Sequence, residues 1–395
     1  MKSITDLETL VSALDAGARR TFDRLFDFTV GEARVLPPKA MEDWIAKAFA
    51  YLAPTRDRIL AAIRRQKIVH VVNRVTGQGT LFNAVRALRP IEAKDDSDLQ
   101  AEIEAARAKC AFCRPLELTP ENAFGRIGAK TAANVAAYDA WHGLVIFAEH
   151  SPLHFQSDAF TVAEVADLLA TARAWAEKVH AEDAEARYFF LMWNCLWKAA
   201  ASIIHGHAQM TVARKFPYAK VERLRRDALA YRKTHKTNYF DDLVRVHDAL
   251  GLAARWGRVT ALAHLTPVKE KELVLVADRF DSPDLAPAVH RALKVYAHLG
   301  VESYNMAVYM PPLGPADPAW EGFPVLVHFV DRGSPGAKTA DVGAMELYSS
   351  SVVSSDPFAL AEALKGNAER GTRNENRAPG AQGAGGHLIL PGSFG

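Results

Sequence analysis

The chain has 395 residues, 49% hydrophobic and 24% charged, with a formal net charge of +2. That is a soluble globular composition with apolar content for a core that needs no disulfide staples, and the near-neutral balance argues against a dedicated nucleic-acid binder. Three cysteines do not make a secreted disulfide framework, no apolar run reaches membrane-span length and no apolar signal core opens the chain, so a cytoplasmic enzyme with neither nucleic acid nor membrane as partner is expected.

Apolar spacing predicts helix through residues 1–66, interrupted by Pro54. This stretch reads as an N-terminal extension. IVHVVNRVTGQGTLFNAV then alternates around Thr76-Gly77, the pattern of a hairpin. Residues 91–100 read as an acidic, solvated connection. LVIFA (144–148) is a predicted strand. Residues 161–180 are a predicted helix, with Thr161 and Glu164 at capping-box spacing. RYFFLMW (187–193) and the stretch after His207 are further predicted strands.

The second half repeats the order. ELVLVAD (272–278) reads as a strand, LAPAVHRALKVYAHL (285–299) as a helix, and ESYNMAVYM (302–310) and FPVLVHFV (323–330) as strands. Strand, helix, strand, strand occurs twice, which suggests an internal duplication. The expected division is 1–66, a first half over 67–255, a second half over 256–366, and a flexible Gly-rich tail over 367–395.

Three constellations carry candidate chemistry. In SIIHGHAQM, His205, His207 and Gln209 project from one face if the segment is a strand. A histidine there can attack phosphorus through one ring nitrogen while the other is held by a hydrogen bond, and a glutamine can donate to a phosphoryl oxygen. Two structural histidines at a strand edge would show the same spacing. Cys110 and Cys113 form a C-x-x-C pair at zinc-ligand spacing, with His150 and His205 as candidates for the remaining positions. A redox pair or an unmetallated thiol pair shares that spacing. Arg86 and Arg89 follow the hairpin and suit phosphate recognition, or are two surface arginines. His142 and His154 flank the LVIFA strand. His328 lies on a strand of the second half. Trp141, Trp193 and Trp197 read as core, and Cys195 as a buried small residue.

Together these residues resemble the galactose-1-phosphate uridylyltransferase family of the histidine-triad superfamily, from about residue 70 to 365. The family order of Thr-Gly, Arg-x-x-Arg-Pro, C-x-x-C, a histidine after a short strand, and His-Pro-His-x-Gln is matched by Thr76-Gly77, Arg86 to Pro90, Cys110 with Cys113, His150, and His205-Gly206-His207-Ala208-Gln209. Asn194 and Ser202 stand at the family's distances before the histidine pair. Tyr304-Asn305-Met306, His328-Phe329 and Val342-Gly343-Ala344-Met345-Glu346 match its C-terminal segments.

The resemblance implies an α+β fold of two histidine-triad-like repeats, antiparallel sheets with helices on one face, joined as a pseudo-symmetric unit. It implies nucleotidyl transfer with His207 as nucleophile and Gln209 at the transferred phosphoryl group. Arg86, Arg89, Asn134, Asn194 and Ser202 would serve the nucleotide, and Lys338 and Glu346 the sugar phosphate, often from the other subunit of a homodimer. Cys110, Cys113, His150 and His205 would hold a structural Zn2+. The expected partners are a nucleotide sugar or similar donor and a phosphorylated small molecule or phosphate. Tyr309 and Leu326 stand where some members have histidines for a second metal, so no iron is expected there. Gly206 replaces the motif proline and is expected to loosen the backbone, Leu196 replaces a family glycine, and Ala344-Met345 stand where a tyrosine is expected. Galactose 1-phosphate is therefore a doubtful substrate. A phosphorylase or hydrolase of an ADP-sugar or dinucleoside polyphosphate is an alternative, and an inactive nucleotide- or partner-binding protein is another.

Overall fold

This computed structural model describes residues 2–87, 98–340 and 342–366. Arg89, most of the acidic connection and the C-terminal tail lie outside the described residues.

The fold is α+β, with two sheets among the described residues. The smaller sheet is formed by β1 (Phe26–Arg34), β2 (Arg65–Asn73), β3 (Gly79–Phe82) and β13 (Ser351–Val353), in that order, with β13 parallel to β3. β2 and β3 are the predicted hairpin. Gly77 sits in its turn at φ 69°, a backbone conformation that favours glycine. β1 corrects the expectation that residues 1–66 are helical. FDFTVGEAR has only a weak strand pattern of its own, and pairing along its whole length with β2 supplies the backbone partners.

The larger sheet contains β4 (Thr131–Ala133), β5 (His142–Ile146), β6 (Ala186–Asn194), β7 (His207–Arg214), β8 (Ala253–Trp256), β9 (Val259–Ala263), β10 (Glu270–Ala277), β11 (Tyr304–Tyr309) and β12 (Val325–Asp331). Its spatial order is β4-β5-β7-β6-β11-β12-β10-β9-β8, antiparallel at every pairing. Within it, β5-β7-β6 meets β11-β12-β10, the same motif read in reverse. The expected repeats are thus merged into one continuous sheet across β6 and β11, where Asn194 stands opposite Asn305. The expected division at 255/256 cuts through β8, which pairs only with β9 of the second half.

Alternation fixes the two faces. Ala208, Met210 and Val212 of β7 join the main core beneath the helix Val162–Glu182. That helix starts on the predicted capping box between Thr161 and Glu164. Gly143 of β5 lets it approach closely, because a Cβ there would lie 2.5 Å from the Trp175 ring. His207, Gln209 and Thr211 point to the opposite face, as do His142, Leu144 and Ile146 of β5. Among the described residues, no helix is long and apolar enough to cross a membrane.

Candidate active site

Two loops cross the face of the first half and bring its polar groups together. Cys110 precedes a tight turn over Ala111–Cys113, and Phe112 of that turn packs on Ala132, Leu144 and Ile146. The Phe112 ring also meets the His207 imidazole edge-on, with centroids 5.1 Å apart. The second loop, after Asn194, leads into β7 and carries His205 and Gly206.

His207 is only 6% exposed, and its geometry defines its chemical state. Its Nδ1 lies 2.9 Å from the His205 carbonyl oxygen and must carry a proton to donate to it. The lone pair is then on Nε2, which has no hydrogen-bond partner among the described residues. Burial pushes the imidazole pKa down, outweighing the opposing effect of the carbonyl, so the ring is neutral at neutral pH. A neutral, tautomerically fixed imidazole with a free nitrogen can act chemically as a nucleophile.

The donor atoms of Cys110, Cys113, His150 and His205 all lie within 4.8 Å of one another. The two Nδ1 atoms are 3.3 Å apart, and the nitrogen–sulfur separations are 3.3 Å (His150 to Cys113), 3.4 Å (His205 to Cys110) and 3.6 Å (His205 to Cys113). A tetrahedral ion with metal–nitrogen bonds of about 2.05 Å and metal–sulfur bonds of about 2.3 Å spaces its donors by roughly 3.3–3.6 Å. Both histidines also have their outer nitrogens committed. His150 Nε2 donates to the Ile103 carbonyl and His205 Nε2 to that of Phe147, each at 2.8 Å, which turns both Nδ1 lone pairs inward. The four residues can therefore hold a metal ion.

Gly206 corrects an expectation. The backbone between the histidines is pinned, with its N–H donating to the His150 carbonyl at 3.3 Å and its carbonyl accepting from Phe147 at 3.0 Å. A Cβ at Gly206 would lie 2.8 Å from the Phe147 ring, so this chain has no room for the family's proline.

The loop 194–201 has a strained backbone. Leu196 is at φ 66°, ψ 172° and Ala200 at φ 68°, ψ 25°. Both are left-handed conformations that disfavour a Cβ. Ala200 is exposed, so Ala200→Gly should raise stability by about 1 kcal/mol. Leu196→Gly should lower it, because the side chain is buried. Denaturant midpoints check both, and a lower midpoint for Ala200→Gly would contradict the strain.

Asn194 is held in this loop by the second half. Its Oδ1 accepts from Asn305 Nδ2 at 2.7 Å, Asn305 also donates to the Ala199 carbonyl at 2.9 Å, and Arg332 donates to Asn305 Oδ1. Sequence reading gave no site role to Asn305, quoted only as part of a matching strand, or to Arg332; both lie more than a hundred residues from Asn194. The facing asparagines of the two repeats were the available signal. Ser202 is exposed on the same loop. Asn134 follows β4 and lies 3.2 Å from His142, which contacts Gln209.

Other expected residues fall elsewhere. Arg86 is exposed at the end of β3, in the smaller sheet, and among the described residues none of its hydrogen bonds or ion pairs joins it to these groups. Lys338 lines an open cavity of about 530 Å³ together with Trp197, Lys198, Pro335, Thr339 and Glu102. Trp197 Nε1 donates to the Pro335 carbonyl at 3.0 Å, and Lys198 Nζ to that of Thr339. Trp197 is 38% exposed there, against the expectation that it is core, and Lys198 is a cation that sequence reading missed. Glu346 accepts from the Gly343 N–H at 2.9 Å and caps the short helix Ala344–Tyr348. Cys195 is fully buried, as expected. Tyr309 and Leu326 face each other across β11 and β12. His328 instead donates to the buried Glu272 at 3.1 Å. Burial pushes the Glu272 carboxyl up, but His264 and His328 outweigh it and hold it well below the carboxylate range.

The merged sheet and its helices are the fold of galT-like and uridylyltransferase structures. An ADP-glucose phosphorylase of Arabidopsis thaliana, solved with bound ADP-glucose, superposes with a TM-score of 0.55 at 16% identity, covering 74% of this chain and 96% of that one. A galT-like protein of Arabidopsis thaliana gives 0.53 at 16% identity over 65% and 91%. A uridylyltransferase gives 0.50 at 15% identity over 63% and 88%. No family model and no curated protein matches the sequence.

Proposed function

We propose that this chain is a divergent member of the galactose-1-phosphate uridylyltransferase family and that it moves a nucleoside monophosphate from a nucleotide sugar or similar donor to a phosphorylated acceptor. The observation that carries this reading is the geometry of His207: buried, held at Nδ1 by its own backbone, and with no hydrogen-bond partner at Nε2 among the described residues.

In the first step the Nε2 lone pair attacks the α-phosphorus. The bond from that phosphorus to the bridging oxygen breaks, and the sugar phosphate leaves with the electron pair. The resulting imidazolium keeps its Nδ1 proton against the His205 carbonyl, which stabilises the positive ring. Gln209 donates to a non-bridging oxygen as charge develops there. Asn194 and Ser202 frame the phosphate from the strained loop. In the second step an acceptor oxygen attacks the same phosphorus and the phosphorus–nitrogen bond breaks, returning neutral His207. Splitting one displacement into two avoids a direct encounter of two anions. Lys198 and Lys338, against the single carboxylate of Glu102, give the open cavity beside this loop a cationic excess suited to the acceptor phosphate.

Cys110, Cys113, His150 and His205 would hold zinc, which would supply a structural cross-link between the 110–113 turn, the segment after β5 and the loop entering β7, away from the substrate. A second reading has inorganic phosphate as acceptor, favoured by the similarity to the ADP-glucose phosphorylase over 96% of its length. A homodimer is part of the proposal, and light scattering on a sizing column that gives a strict monomer would remove it.

Initial rates test the scheme. Varying donor at several fixed concentrations of hexose 1-phosphate, and separately of phosphate, should give parallel double-reciprocal lines with the true acceptor. Intersecting lines with both would mean direct transfer and contradict the covalent route.

A further inference from the structure

The hydrogen bonds around His142 fix its tautomer. The Tyr138 backbone N–H donates to His142 Nδ1 at 3.0 Å, so Nδ1 carries the lone pair. The proton is therefore on Nε2, which lies 3.1 Å from Gln209 Oε1. An N–H at that distance fixes which end of the Gln209 amide faces His142: the oxygen. The two N–H groups of Gln209 are then the end left for a phosphoryl oxygen.

Asn134 offers the His142 proton no competing acceptor. Its Oδ1 accepts from the Ala136 N–H at 2.9 Å, so its Nδ2 is the atom 3.2 Å from His142 Nε2. Two N–H groups face each other there, which leaves Gln209 Oε1 as the acceptor for the His142 proton. His142 is 3% exposed, and burial lowers its pKa, in keeping with a neutral ring. Without this contact the Gln209 amide could turn, presenting a carbonyl oxygen to an anionic phosphoryl group.

We propose that His142 is a positioning residue that orients the Gln209 amide so that its N–H groups, and not its oxygen, meet the transferred phosphoryl group. The proposal rests on the His207 transfer reading, and two measurements separate the two. In the full-length protein labelled with ¹⁵N-histidine, long-range ¹H–¹⁵N correlation should show His142 as the neutral Nε2–H tautomer. An Nδ1–H tautomer overturns the proposal whether or not the protein transfers nucleotides.

The second measurement is a double-mutant cycle on the single-turnover rate of His207 nucleotidylation. His142→Phe should slow the step about tenfold, the size of one ordinary hydrogen bond, with donor KM little changed. His142→Gln, which retains an N–H donor, should recover most of that loss. In a Gln209→Ala background His142→Phe should have no further effect. Equal slowing in both backgrounds would mean that His142 acts by packing alone, and overturns the proposal. If wild-type protein forms no adduct, the transfer reading fails and with it the catalytic consequence, while the tautomer still decides the orientation.

Discussion

Cys113→Ser is expected to abolish metal binding by the Cys110, Cys113, His150 and His205 cluster and to lower stability and transfer activity together. The four donors join three separate pieces of chain: the turn at 110–113, the segment after β5 and the loop entering β7. In a peptide-sized site the apparent free energy of zinc binding is roughly 10 kcal/mol or more. A large domain retains other contacts, so a loss of about 4 kcal/mol is a reasonable scale, which corresponds to a fall in Tm of roughly 5 °C for a chain of this length. Phe112 and Gly206 would lose their fixed positions beside His207, and kcat should fall with stability. Metal analysis should give one zinc per chain in the wild type and close to none in the variant. A strong chelator should reproduce the effect, and zinc should restore it. A wild-type protein that carries no zinc and whose melting does not respond to chelator would contradict the assignment.

Replacing His207 has the larger effect on chemistry and a small one on the fold. Among the described residues its side chain bonds only to the carbonyl two residues away, so His207→Ala leaves no distant partner there unsatisfied. With the nucleophile gone, kcat should fall by about four orders of magnitude or more, the scale seen when a covalent catalyst is removed. Gln209→Ala should be milder, about 10²–10³-fold, because it removes one donor to developing charge and leaves the nucleophile in place. Steady-state rates with a circular dichroism control check the ranking. Equal losses at both positions would place the two residues in a single structural role.

Much of this architecture was legible in the sequence because the signals are local. Alternation marked the β2–β3 hairpin, short apolar runs marked β5, β6, β10, β11 and β12, and the Thr161/Glu164 box marked the start of the long helix. The palindromic order of the merged sheet was not legible: the second repeat pairs with the first through β6 and β11, and no sequence signal says which edges meet. β1 was hidden because its stability comes from β2. At the site, the histidine pair and the C-x-x-C were visible as motifs, while the links that hold them were not. Asn305 reaches Asn194 across more than a hundred residues, and His142 is tied to Gln209 through sheet register. Gly206 was misread because a glycine in a sequence looks permissive, whereas here Phe147 requires it.

The most direct test of the central claim is the mass of the intact protein after incubation, separately, with UDP-glucose, ADP-glucose, GDP-mannose and a dinucleoside polyphosphate. The predicted result is a gain of one nucleoside monophosphate with at least one donor, absent in His207→Ala, with the mass naming the base. No gain with any donor, or an equal gain in His207→Ala, would contradict the covalent role of His207.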